Sequence, residues 1–255
     1  EDEASTGGTL VTYLDRSFYT TENEGNLFVD APEGTPVQFS WNGSERRGKL
    51  PASRLLPIDL TGTADGRHVI KVSANGRDAE VVLKKLPPRK GAVKIDRVNR
   101  VLLVNDKPFI AVGSTGSNAK TVKELAGVGF NGPIVGMHEP FTKEVQERIR
   151  GALDAAQACG LKITVWYQDF ALTDDHEKWE AELLEMVEMF KDHPAVLAWL
   201  VFDEPTSNIK WLAGLCHAVR EADPYHPVFV NWCDRGHGWT RDMGDVTGDV
   251  NSMDG

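Results

Sequence analysis

Cysteine is scarce in this chain. Cys159, Cys216 and Cys233 are the only three among 255 residues. An odd number closes no disulfide framework, and no C-x-x-C pair is present for zinc or redox work. Cys159 stands before Gly160 at a helix end and Cys216 among apolar residues at helical spacing, so both read as small buried hydrophobes. Basic residues are also in deficit: 28 Lys and Arg face 38 Asp and Glu, for a net charge of -10 and a pI near 5.2. Nucleic-acid binding normally needs a basic face, so a polyanion partner is not expected. No apolar run approaches the roughly 18 residues of a membrane span. No signal peptide is visible, and EDEASTGG has the polar look of a mature N-terminus or a linker.

Several catalytic signatures are missing as well. No G-x-G-x-x-G follows the first strand of the α/β region, and no phosphate loop exists, which removes the best support for a nucleotide fold. GSTGSN (113–118) has glycines without the spacing or the lysine, and reads as a loop. No Gly-x-Ser-x-Gly marks a serine hydrolase. The Asp-rich DVTGDVNSMDG misses calcium-loop spacing. Asp234 and His237 lack a third ligand, so no metal and no cofactor are expected. Asn42-Gly43-Ser44 is a glycosylation sequon that matters only in a eukaryotic secretory route.

What remains is a chain that is 41% hydrophobic and 26% charged, ordinary globular composition with ample sequence for a core. It divides into two rhythms. Up to about residue 87 it reads as strands and turns. VQFSW (37–41) alternates before Asn42-Gly43, and GRHVIKVSANGRDAEVVLKK holds two runs around Asn75-Gly76. An Asn-Gly between alternating runs signals a type I′ hairpin, because that turn needs positive φ at both central residues. The expectation is a tail over 1–8, then an all-β immunoglobulin-like sandwich over 9–87. LPPRKG opens a linker over 88–107 that leads into the second region.

From 108 to 255, short apolar runs alternate with helical patterns. PFIAVG precedes a helix through Val122, Leu125 and Ala126. A longer helix from Thr142 carries Val145, Ile149, Leu153 and Ala156 on one face and stops at Cys159-Gly160. LKITVWY follows. Thr173 then reads as the cap of a helix with Asp174, Asp175 and Glu177 in its first turn and Trp179, Leu183, Val187 and Phe190 facing inward. VLAWLVF, a helix through Ile209, Leu212, Cys216 and Val219, the stop Asp223-Pro224, and HPVFVNW complete the series. Strands alternating with such helices argue for parallel βαβ units buried on both faces. The expected architecture is a (β/α)8 TIM barrel, truncated after about the sixth strand: residues 109–255 fall well short of the roughly 250 that a full barrel needs.

HPAVLAWLVFDEP (193–205) then poses the functional question, because it delivers Asp203 and Glu204 directly behind a buried-looking run. Asp-Glu-Pro could simply cap the next helix. In a barrel, however, chemistry collects at the C-terminal strand ends, and four such ends here are rich in polar and aromatic residues. They are His138 and Glu139; Trp166, Tyr167, Gln168 and Asp169; Asp203 and Glu204; and Asn231, Trp232 and Asp234. Indoles that stack on pyranose faces, with carboxylates and amides for hydroxyls, suit a sugar site. A general acid for glycoside cleavage needs a carboxyl in a partly apolar setting, which the strand before Glu204 supplies. Taken singly, Trp166 and Trp232 could be core residues and His138 a satisfied loop histidine.

VNRVLLVNDKPFIAVGST, with its turn at Asn105-Asp106-Lys107-Pro108-Phe109, resembles the lead-in to the catalytic barrel of glycoside hydrolase family 2 and other clan-A glycosidases. HPAVLAWLVFDEP is similar to that clan's fourth strand, which opens His-Pro-Ser/Ala-Val and ends Asn-Glu, and DPYHPVFVNW resembles the fifth. The resemblance implies a retaining O-glycosidase with Glu204 as general acid/base. It also implies a sugar site drawing on Asp203, His138, Trp166, Tyr167, Gln168, Asn231 and Trp232, and a nucleophile on the seventh strand, beyond residue 255. Asp203 stands where the clan has Asn, so a sugar 2-hydroxyl meets an acceptor there instead of a donor. The chain is expected to be part of a longer protein that acts on poly- or oligosaccharide outside the cytoplasm, secreted, periplasmic or at the cell surface. The alternatives are a non-catalytic glycan-binding or scaffolding barrel and a metal-dependent hydrolase built on the same strand ends.

Overall fold

The computed structural model describes residues 10–116, 118–168, 175–204, 209–233 and 250–254. The chain forms two compact units. One holds the residues up to Pro88 together with Ile95–Val101; the other holds Arg89–Lys94 and the residues from Leu102 onward.

The first unit is a β-sandwich. Strands β1 (Thr12–Leu14), β2 (Glu24–Val29), β3 (Pro36–Trp41), β4 (Ser44–Lys49), β5 (Leu55–Asp59), β6 (Gly66–Ala74) and β7 (Arg77–Lys85) form two antiparallel sheets, ordered β1-β2-β5 and β4-β3-β6-β7. Alternate residues of both sheets, among them Leu27, Val29 and Ile58 from one and Val37, Phe39, Ile70 and Leu83 from the other, enter a single core, as period-2 strands with one wet face require. The hairpin turns are those the sequence specifies: Asn42 and Gly43 have φ of 49° and 73°, and Asn75 and Gly76 have 51° and 68°. Edge strand β4, SERRGK, is exposed along its whole length, and its charges oppose edge-to-edge pairing.

Strands β8 (Val93–Asp96), β9 (Val101–Val104) and β10 (Lys107–Phe109) form a small sheet. The alternating series then begins: β11 (Thr115–Gly116), α1 (Ala119–Gly127), β12 (Ile134–Met137), α2 (Lys143–Cys159), β13 (Ile163–Tyr167), α3 (His176–Phe190), β14 (Val196–Asp203), α4 (Ile209–Ala222), β15 (Val228–Cys233) and β16 (Val250–Asp254). Among the described residues the sheet runs β11-β12-β13-β14-β15-β16, every pairing parallel. A doubly wound sheet reverses its strand order at a switch point. This order never reverses, so the sheet is a six-stranded partial TIM barrel.

Some local expectations need correction. The first barrel strand is Thr115–Gly116, inside the stretch that reads as a loop, because its main-chain pairing with Ile134 and Val135 needs no apolar side chain. PFIAVG is not a buried strand, since Ile110 and Val112 are 74% and 50% exposed. The α3 cap is Asp175, whose carboxylate accepts from Lys178 N at 3.1 Å; Thr173 and Asp174 lie outside the described residues. Cys216 is buried but Cys159 is exposed, because the buried stripe of α2 ends one turn earlier at Ala156. No helix among the described residues is long and apolar enough to cross a membrane.

Strand β14 shifts register twice, opposite Ile163/Thr164 and again between Leu200 and Phe202. Each bulge inverts the alternation of side chains. After the first, Leu197 and Ala198 both join Val93 in the inner cluster, while Trp199 turns to the helix-side core. The second restores the phase. Phe202 thus stacks on Trp179 of α3 and meets Trp211 of α4, and Asp203 returns to the inner side.

At the opposite end, where the strands begin, segment 89–94 is fixed by buried polar groups. The Lys162 ammonium donates to Gly91 O at 2.9 Å and to Val196 O at 3.1 Å. Gly91 has φ of 90°, and a Cβ there would lie 3.1 Å from Pro194 Cα, so only glycine fits without strain. Burial pushes the Lys162 amine down to about 8. Between pH 8 and roughly 10.4 the unfolded chain therefore holds a proton that the folded chain has released, and stability climbs with pH through that window. The rise attributable to Lys162 is about 3 kcal/mol at most. Urea midpoints taken at pH 7.5 and pH 9.5 should show it in the native protein and lose it in Lys162→Met; the same rise in both would assign it to another group.

Candidate active site

The C-terminal ends of β12 to β15 bring five of the expected residues together. Along β13 the side chains alternate, so Trp166 and Gln168 share the inner face with Asp203 of β14 and Asn231 of β15. Trp166 Nε1 donates to Gln168 Oε1 at 3.2 Å, and the backbone N–H of Asp203 donates to that same oxygen at 3.1 Å. Asn231 Nδ2 donates to Asp203 Oδ1 at 2.8 Å. His138, exposed beyond the end of β12, meets the Trp166 indole edge-on with ring centroids 4.2 Å apart. Main-chain bonds tie the same ends: Gln168 N to Met137 O at 3.0 Å, and Glu204 N to Asn231 O at 2.9 Å. Side chains and backbone therefore cross-link four adjacent strand ends, which is the pre-organisation that a binding site on rigid elements needs.

The question raised by the two carboxylates resolves for both of them. The following helix begins at Ile209, too far along the chain for Asp203 or Glu204 to cap it. Asp203 is instead the last residue of β14 and is held by β13 and β15. Glu204 is half-buried and sits immediately past the strand with φ of 50°. A non-glycine residue in the left-handed region costs about 1–2 kcal/mol, and such positions persist where the surroundings over-determine them, often at functional sites.

One expected site residue belongs elsewhere. Tyr167 is fully buried on the helix side of β13, where its hydroxyl donates to Glu182 of α3 and its ring meets Phe141. The alternation that turns Trp166 inward turns Tyr167 outward, so it packs into the helix-side wall of the sheet. Glu139 is likewise engaged by Arg148 of α2. Trp232 lies in β15 opposite Met253, but its side chain is outside the described residues, as are Asp169 and Asp234.

Sequence reasoning missed Gly136. A Cβ at that position would lie 2.8 Å from Trp166 Cε3 and 3.3 Å from His138 Nε2, so the bare backbone of β12 is the bed on which the indole rests. A glycine inside a short apolar strand is the available signal, since it marks close approach of another group. Gly136→Val should expel the indole and break its bond to Gln168. Tryptophan fluorescence should shift red, and stability should fall by about 1–3 kcal/mol; an unchanged spectrum would show that Trp166 does not depend on this cradle.

No protein-family model matches the sequence, and no curated protein does. Solved structures do match. A glycosyl hydrolase family 2 member from Bacteroides cellulosilyticus DSM 14838 aligns with a TM-score of 0.51 at 14% identity, over 95% of this chain and 38% of its own. The fold is shared with glycoside hydrolase family 2. Ruminococcus gnavus beta-glucuronidase aligns over 96% of this chain and 48% of its own (TM-score 0.48, 14% identity). The beta-D-glucuronidase of Dictyoglomus thermophilum aligns over 95% and 47% (TM-score 0.48, 14% identity). The chain thus spans less than half the length of each of these structures. At such identity the likeness is one of fold: antiparallel sheets followed by a parallel β/α sheet.

Proposed function

We propose that the protein is a retaining O-glycosidase of clan-A type acting on a poly- or oligosaccharide outside the cytoplasm, with Glu204 as its general acid/base. The observation that carries this reading is the convergence of Trp166, Gln168, Asp203 and Asn231 on the inner face of the sheet, at the end where barrel chemistry occurs. In this reading the Trp166 indole stacks on the apolar face of a sugar ring, while Gln168, Asp203, Asn231 and His138 bond its hydroxyls. Glu204 protonates the glycosidic oxygen as the bond to the anomeric carbon breaks. A second carboxylate about 5 Å from it attacks that carbon, and Glu204 then takes a proton from the water that releases the sugar. That second carboxylate comes from a strand other than those described.

The test is Glu204→Gln in the full-length protein. Turnover of an unactivated oligosaccharide should be lost while the thermal midpoint stays within a few degrees, and unchanged rates on it would end the assignment. One observation favours a second reading, a non-catalytic glycan-binding barrel: Asp203 stands where the clan has Asn, and it is already engaged by Asn231. On that reading Glu204→Gln leaves sugar binding intact and there is no turnover to lose.

A further inference from the structure

Gln168 is more than nine-tenths buried, yet half of its amide has no partner among the described residues. Its Oε1 accepts two bonds, from the Trp166 indole and from the Asp203 main chain. Both neighbours are N–H groups that can only donate, so the carbonyl oxygen must be the atom facing them and the orientation of the amide is fixed. The Nε2 group is left with two donors, and no described residue accepts from it. Asp203 is complementary. Asn231 donates to its Oδ1, while no described residue donates to its Oδ2. A donor pair and an acceptor thus lie on two residues already joined by a hydrogen bond, on the inner face beside the indole.

We propose that Gln168 and Asp203 together read one ring hydroxyl of a saccharide, which accepts from Gln168 Nε2 and donates to Asp203 Oδ2. This rests on the glycan reading above and adds what the ligand must carry. A hydroxyl donates and accepts at once. An ammonium at that position donates only and leaves the amide unmatched. A carboxylate or sulfate accepts only and is repelled by Asp203. An O-methyl group cannot donate, and a deoxy carbon leaves both protein groups bare. Sites built to bond a hydroxyl reject the analogue lacking it by about 10⁴-fold or more, so Gln168 is a specificity-determining residue.

The experiment takes the full-length protein and the p-nitrophenyl glycoside that it hydrolyses fastest, with the monodeoxy analogues of that glycoside. One analogue should lose at least ~10³-fold in kcat/KM with the native protein. In Gln168→Met the parent substrate should fall by a similar factor and the gap to that one analogue should close to within about tenfold, while the ratios for the other analogues hold. Gln168→Glu keeps the acceptor for Trp166 and Asp203 but removes the donors, and should behave the same way. If parent and all analogues fall together, or no analogue is singled out, Gln168 only supports the wall and the proposal is overturned. If no aryl glycoside is turned over, the same series is read as Kd from Trp166 fluorescence with the methyl glycosides. A single discriminated hydroxyl there sustains the Gln168 proposal although the glycosidase reading fails; absence of binding overturns both.

Discussion

Glu204→Ala should lower kcat/KM by about 10³-fold or more on an unactivated disaccharide and by far less on a dinitrophenyl glycoside of the same sugar. A sugar alkoxide is a poor leaving group, and its departure requires a proton in the transition state. A dinitrophenolate leaves unaided, so removing the acid costs little in the step that breaks the bond. The contrast between the two substrates tests the role and not merely the importance of residue 204, because a damaged fold would slow both equally. Equal losses on both substrates would therefore move Glu204 out of the acid role even if the residue proved essential. The substitution is also conformationally fair: Ala, like Glu, lacks the freedom of glycine at φ of 50°, so the strain at the strand end is retained in the variant.

The features that the sequence made legible are those fixed by neighbouring residues. Asn42-Gly43 and Asn75-Gly76 require their turns whatever surrounds them. The apolar runs of β12 to β15 announce a sheet covered on both faces, and the alternation of β13 could have separated Tyr167 from Trp166 and Gln168. The phase of β14 could not be read in this way. Val196 to Val201 are all buried, so hydrophobicity carries no record of which side each faces, and the two bulges that turn Trp199 outward and Asp203 inward leave no mark in composition. Strand β11 escaped notice because two residues pair through their backbone alone. The cluster beneath the sheet was invisible for another reason: Gly91, Lys162 and Asp223 are far apart in sequence, and only the barrel closes the distance.

That cluster carries the second large effect. Asp223→Ala should destabilise the protein by about 3–5 kcal/mol, the usual consequence of removing one partner from a buried charged set. The carboxylate is fully buried and accepts from Trp199 Nε1 at 2.8 Å, His226 Nδ1 at 2.7 Å and Tyr225 N at 3.0 Å; the Arg89 guanidinium lies 3.7 Å away. Burial raises its pKa, but the donors and charge of His226 and the bonds from Trp199 and Tyr225 outweigh that, and the carboxyl is held below its ordinary range. Its contribution is therefore complete above about pH 4, where the unfolded chain is also ionised, and is lost as pH falls through the lower folded value. Asp223→Asn should recover only part of the loss, since an amide offers one oxygen and turns an N–H toward groups that also donate. Urea denaturation at pH 7 measures the difference directly. A cost under 1 kcal/mol would mean that Trp199, His226 and Tyr225 find other acceptors, and that the carboxylate is not what fixes β14 and β15 where they begin.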